Sequence, residues 1–139
     1  MRILLDTNIL LDIALKRDPH FLFSVKAFKM IDGKAIFGFI TATTVTDLYY
    51  ISKKECGHDI AIQFINNLLS VVDVLEVNKK IILLSLNSSF PDFEDAIQIN
   101  TAKINDVEVI VTRNPKDFVE TEITILSPKQ FIEDFMRDH

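Results

Sequence analysis

An alternation limits most strongly what this chain can fold into: short apolar runs that stop at polar residues are separated by stretches long enough for one or two helices. Residues 2–5 end at Asp6, residues 35–39 run up to Thr41, and residues 71–77 alternate Val72 and Val74 with Asp73. Residues 108–112 and the short segment 123–126 complete the set, and all five read as strands. Between them the apolar spacing predicts helices over residues 8–16, 20–32, 41–52, 58–69, 78–86 and 92 to about 105. Asp18-Pro19 opens the second of these and Gly33 closes it, while Ser127-Pro128 places a cap before a first-turn proline to open a last helix. Strands joined through helices pair in parallel by right-handed crossovers. The reading is therefore α/β: one domain over residues 1–139, a three-layer α/β/α sandwich around a mostly parallel sheet of four to five strands.

In such sheets ligands bind beyond the carboxyl ends of the strands, where strand order reverses, so polar residues just after strands carry the functional signal. Composition narrows the chemistry. The chain has 139 residues, a net charge of −5 and only three glycines, Gly33, Gly38 and Gly57. Neither a dinucleotide fingerprint nor a Walker-type phosphate loop can be written, and no global positive field attracts polyanions. The longest uncharged run, residues 60–72, contains Gln63, Asn66 and Asn67 and falls short of the ~20 apolar residues of a membrane span. Asp6 interrupts the N-terminal apolar run well before signal-peptide length, so a cytoplasmic location is expected, with no membrane contact. The single cysteine, Cys56, forms no internal disulfide. It reads as a lone buried residue rather than a nucleophile partnered by His58.

The acids are placed unevenly. Asp6 ends the first strand, Asp117 follows the fourth, and Asp47 lies within an otherwise apolar stretch, Val45 to Ile51. Asp92, Glu94 and Asp95 crowd the start of a helix whose buried face is assigned to Phe93, Ala96 and Ile97. Capping of the helix explains that crowd as readily as ligation does. Gathering ionised carboxylates in one place is costly through desolvation and repulsion unless a cation intervenes. Oxygen donors alone suit Mg2+ or Mn2+, and His20, His58 and His139 show no zinc-ligand spacing.

Four blocks carry a resemblance: Leu5-Asp6-Thr7-Asn8, Thr44-Val45-Thr46-Asp47-Leu48, Asp92-Phe93-Glu94-Asp95-Ala96-Ile97-Gln98 and Val111-Thr112-Arg113-Asn114-Pro115-Lys116-Asp117-Phe118. In order and spacing they resemble the motifs of PIN-domain ribonucleases over nearly the whole chain. That family includes the toxin subunits of VapBC toxin–antitoxin pairs, which the chain also resembles in length. The resemblance implies a PIN-like fold and a metal-dependent endoribonuclease that hydrolyses RNA to 5′-phosphate and 3′-hydroxyl products. It implies catalytic acids at Asp6, Asp47, Asp95 and Asp117, with Asp6, Asp95 and Asp117 holding Mg2+ or Mn2+. Relatives often carry aspartate where this chain has Asn114, and usually glutamate where it has the shorter Asp47. Thr7, Asn8, Asp92, Thr112 and Asn114 are candidates for supporting the acids or orienting substrate.

Arg113 and Lys116, beside the last block, are candidate RNA contacts. Lys16-Arg17, Lys53-Lys54 and Lys79-Lys80 read as solvated helix ends, and Tyr49-Tyr50 and the phenylalanines as core or interface. The leading expectation is an RNA-cleaving toxin, homodimeric and held silent by an antitoxin protein. The alternative is a catalytically impaired PIN-like module that binds RNA or protein. A phosphatase using Asp6 as nucleophile ranks third, because Asn8 stands where haloacid dehalogenase-like enzymes place a second aspartate.

Overall fold

The structure, a computed structural model, describes residues 1–118 and 122–138; His139, considered above for metal spacing, lies outside them. Strands β1 (Arg2–Leu5), β2 (Phe37–Thr41), β3 (Asp73–Leu75), β4 (Val109–Val111) and β5 (Thr124–Leu126) form one sheet in the order β3-β2-β1-β4-β5. Every neighbouring pair is parallel. The connections carry α1 (Thr7–Ala14), α2 (Phe21–Lys29), α3 (Ala42–Cys56), α4 (His58–Leu69), α5 (Lys79–Leu86) and α6 (Phe93–Ile104), and α7 (Pro128–Asp138) follows β5.

Side-chain alternation divides the core in two. Ile3 and Leu5 of β1 and Val109 and Val111 of β4 face a cluster completed by Ile9 and Leu10 of α1, Leu48 of α3, Leu68 of α4 and Phe131 of α7. Leu4 and Ile110 point the opposite way, onto Ile99 and Ala102 of α6. Residues one apart on a strand feed opposite layers, which makes the sandwich three layers deep. The expected architecture is the one that forms.

Several boundaries differ from the sequence reading. The second strand runs from Phe37 to Thr41 rather than over residues 35–39. The Asp32 carboxylate accepts hydrogen bonds from the backbone N–H groups of Lys34, Ala35 and Ile36, holding that segment in a turn until Phe37 meets Arg2. The same three donors pull the Asp32 pKa down to about 2. For the same reason α2 stops at Lys29 and Gly33, at φ +69°, belongs to this turn instead of capping the helix. The third strand contracts to three residues at the sheet edge, where only β2 pairs with it. Cys56 is exposed at the end of α3, and Phe93 is 44% exposed at the start of α6, so neither is the buried residue expected. Ala96 and Ile97 do face the core. The last helix starts as read: Ser127 Oγ accepts from the Gln130 N–H, and Gln130 Oε1 accepts from the Ser127 N–H.

Strand order reverses between β1 and β4. The chain leaves β1 towards β2 and β3 on one side and returns to β4 and β5 on the other, which opens a crevice at the carboxyl ends of the two central strands. Close packing on β2 supports this arrangement. A methyl group added at Gly38 would stand 2.7 Å from Ile31 Cδ1 and 3.0 Å from Val72 Cγ1, both in the core. Gly38→Ala is expected to lower stability by about 1–2 kcal/mol, seen as a lower urea midpoint at unchanged m-value. An unchanged midpoint would mean that Ile31 swings aside without cost.

Candidate active site

The site is built outward from Asp6, one residue past β1, which is only 9% exposed. Its backbone N–H donates to the Val111 carbonyl at 3.0 Å, extending the β1–β4 ladder by one step. Asp6 occupies the position preceding α1, yet its side chain makes no capping bond to that helix. Both carboxylate oxygens are instead engaged across the crevice. Oδ1 accepts from Gln98 Nε2 at 2.8 Å, and Oδ2 accepts from Thr112 Oγ1 at 2.7 Å. Hydrogen bonds to an ionised acceptor are the strong ones, so this carboxylate is held in one orientation.

Thr112 is the junction of the strand ends. Besides donating to Asp6, its Oγ1 accepts from the Asn114 N–H at 3.3 Å and, more weakly, from Asn8 Nδ2 at 3.5 Å. Asn8 Oδ1 accepts from the Arg113 N–H at 3.3 Å. The Thr7 hydroxyl meets Thr44 Oγ1 at 3.0 Å and ties α1 to α3. Thr112 thus contacts Asp6 directly, Asn8 contacts Thr112 and the Arg113 N–H, and Thr7 belongs to the frame around them.

A cavity of about 370 Å³ opens beside Asp6. Asp47 from α3, Asp95 and Glu94 from the first turn of α6, Asp92 just before it, and Asp117 from a single 3₁₀ turn, Pro115–Asp117, line it together with Asp6. Thr7, Asn8, Thr112 and Asn114 complete the polar wall, and Leu11, Ile51 and Phe118 the apolar one. Asp92 is the helix cap: its Oδ1 accepts from the Asp95 N–H at 2.9 Å. Asp95 is thus left free to face the cavity, where burial first, then Asp92, Asp6, Asp117 and Glu94, push its pKa up to about 7. Burial also raises Asp47, and burial together with Asp47, Asp92 and Asp6 raises Glu94.

The four acids that the resemblance implied as catalytic, Asp6, Asp47, Asp95 and Asp117, all line one cavity, together with Glu94, which the sequence reading treated only as part of a capping cluster. Gln98, the last residue of the third motif block, was assigned no role. Its signal was a polar side chain between Ile97 and Ile99, one helical turn beyond Asp95. Arg113 and Lys116 do not line the cavity. Lys116 is exposed on the 3₁₀ turn, and the Arg113 guanidinium turns behind the loop, with Nε 3.2 Å from Asp12 Oδ2.

Among the described residues, the lining of this cavity includes six carboxylates and no lysine, arginine or histidine. The donor set is hard oxygen throughout, and the raised pKa of Asp95 comes first from burial and then from the neighbouring acids, whose repulsion a cation would relieve. Among the described residues, no three His, Cys, Asp or Glu side chains close on a single point. Such a set fits Mg2+ or Mn2+, ions that keep several waters and take one or two carboxylates directly, better than a fully caged ion.

Fold and site together define a parallel α/β protein with an acidic pocket at its topological switch point. A family model described as PIN domain matches residues 2–116, and the chain belongs to that family. It is 28% identical over 138 residues to Ribonuclease VapC1 of Aquifex aeolicus, covering 95% of this chain and 94% of the relative. Among solved structures, it resembles a toxin–antitoxin complex from Klebsiella pneumoniae with a TM-score of 0.69 at 25% identity, over 91% of this chain and 97% of that one. VapC20 of Mycobacterium tuberculosis, a Sarcin-Ricin loop cleaving toxin, shares the fold with a TM-score of 0.64 at 14% identity, over 78% of this chain and 86% of that one.

The Asp95 shift sets a pH dependence. A carboxyl whose pKa is about 7 when folded and near 3.8 when unfolded binds more protons in the native state between those values. Stability of the metal-free protein therefore falls as pH rises from about 4 to about 7 and levels off above. Asp95→Asn, in EDTA, is expected to stabilise the protein at pH 8 by on the order of 1 kcal/mol after solvent screening. Urea denaturation should show that gain vanish near pH 4; a gain that persists there would trace to something other than charge.

Proposed function

We propose that this chain is a metal-dependent endoribonuclease that hydrolyses RNA phosphodiester bonds, and that it is the toxin half of a toxin–antitoxin pair. The observation that carries this reading is the convergence of Asp6, Asp47, Asp95 and Asp117, from four separate elements, on one cavity whose described lining has no cationic side chain. A phosphodiester would be repelled from such a wall. Asp6, Asp95 and Asp117 would hold Mg2+ or Mn2+, with Asp47 and Glu94 at the rim orienting water. When bound, the ion supplies charge neutralisation at the phosphate and a water of lowered pKa for in-line attack. Gln98 and Thr112 fix Asp6 beforehand, so its alignment costs little when substrate arrives. The products on this reading carry 5′-phosphate and 3′-hydroxyl ends.

The ribonuclease name of the Aquifex relative and the toxin–antitoxin complex of Klebsiella support both the activity and an antitoxin partner. Leu83, Leu84 and Leu86 of α5 are exposed, which favours a homodimer that covers them. No helix among the described residues is long and apolar enough to cross a membrane. On this reading the site of action is the cytoplasm, where RNA is. Asp6 is poorly suited to be a covalent nucleophile, since both its oxygens are hydrogen-bonded, and this counts against a phosphatase.

Purified protein supplied with Mn2+ is expected to cut RNA, and EDTA to stop it. Asp6→Asn and Asp95→Asn should each lower cleavage by about 100-fold. RNA that is bound but left intact with either Mg2+ or Mn2+ would replace this reading with that of a PIN-like binding module.

A further inference from the structure

Asp12 is a carboxylate that the proposed chemistry does not use. It lies on α1, 0% exposed, and burial raises its pKa against the pull of Arg113, His20, Ser24 and Arg17. Its Oδ2 receives Ser24 Oγ from α2 at 3.3 Å and lies 3.2 Å from Arg113 Nε, while Oδ1 is buried without a hydrogen-bond partner. A buried ion is retained at such a place only when its partner is held close.

That partner stands between two residues of the site. Arg113 separates Thr112, which donates to Asp6, from Asn114, whose side chain lines the cavity. Its own backbone N–H is held by Asn8 Oδ1, and the Asn114 N–H by Thr112 Oγ1. The 3₁₀ turn that carries Asp117 then follows, closed by the Asp117 N–H on the Asn114 carbonyl. With the guanidinium drawn behind the loop towards α1, the backbone at residue 113 has one orientation. Thr112 and Asn114 consequently face the cavity together.

We propose that Asp12 and Arg113 are a positioning pair that fixes the loop carrying Thr112, Asn114 and Asp117, and that Arg113 serves this geometry rather than holding RNA. The proposal deepens the nuclease reading and rests on it for its kinetic consequences. It also reassigns Arg113, whose position beside the last motif block favoured a phosphate contact. Its side chain is 24% exposed and absent from the cavity lining, whereas the neighbouring Lys116 is exposed.

The test compares wild type with Arg113→Lys, which keeps the charge but loses the planar fork, by three measurements. Calorimetric titration with Mn2+ alone is expected to show affinity weakened about tenfold. Cleavage of a short RNA should lose kcat by about the same factor, with KM and its salt dependence unchanged. In metal-free protein, backbone amides of residues 112–117 should exchange several-fold faster, by NMR or mass spectrometry.

Should Arg113→Lys fail to fold, the neutral double variant Asp12→Asn with Arg113→Gln removes the buried charge and is expected to show the same three changes. A raised KM with a shallower salt slope and intact Mn2+ affinity would make Arg113 an RNA contact and overturn the proposal. Unchanged amide exchange would overturn it as well. A wild-type protein that neither binds Mn2+ nor cuts RNA sinks the nuclease reading instead, and the amide comparison still decides whether the pair positions the loop.

Discussion

Parallel pairing of β1 with β4 is the constraint on which the rest of the molecule depends. The register aligns Leu5 with Val111, so the next residues, Asp6 and Thr112, leave the sheet side by side and meet in a 2.7 Å hydrogen bond. A slip by one residue would turn Thr112 to the opposite face and set the hydrophobic alternation of β4 against both core clusters. The packing that buries Val109, Ile110 and Val111 therefore also sets the direction of a catalytic candidate. Core and site are specified by the same three residue pairs.

Around that junction the chain collects like charges and supports them with neutral groups. Asp6 is held by an amide and a hydroxyl, Thr112 by a backbone N–H and an asparagine, and the frame beside α3 by a run of threonine hydroxyls, Thr7 to Thr44 to Thr41. A lysine placed among the acids would have relieved the repulsion that adds to burial in raising Asp95, but it would also have filled the negative pocket proposed above to take a divalent ion. The arginine closest in sequence is instead directed behind the loop, onto a different carboxylate. Local stability is lower for this choice, as is usual where electrostatics serve a site rather than the fold.

Much of this was legible in the sequence because it depends on patterns with a short range. Residues 2–5 and 108–112 are compact apolar runs that end at polar residues, and a buried central strand leaves little else to write there. The four acids were found through the resemblance of their motif blocks to PIN-domain ribonucleases; of them, Asp6 follows a strand directly, whereas Asp47 and Asp95 lie within helices. What stayed hidden depends on contacts between distant residues. Asp12 looks like a polar break in an amphipathic helix until Arg113 is folded against it. Gln98 looks like a misplaced polar residue until β1 brings Asp6 across. The start of β2 was misjudged because Ala35 and Ile36 have strand-like composition, while their N–H groups are taken by a side chain earlier in the chain, Asp32. Phe93 and Cys56 have the residue types of a core but fall at exposed positions near helix ends.

The acids differ in how firmly they are held, and this bears on how the site would take an ion. Asp6 is locked by two strong hydrogen bonds and is nearly buried. No hydrogen bond to a described residue restrains the Asp95 carboxylate, and Asp117 stands exposed on a single 3₁₀ turn. One fixed carboxylate and two adjustable ones would make a half-prepared site for the proposed ion. A cage of rigid carboxylates would have to bear the full mutual repulsion in the empty state, and side chains that rotate away lower that cost. An ion that retains most of its water tolerates such a site, because water spans the distances that rotating carboxylates leave open, and Mg2+ and Mn2+ are ions of that kind. On the proposed reading, the firm tie between Asp6 and Thr112 would set where an ion sits, and the looser acids how tightly it stays.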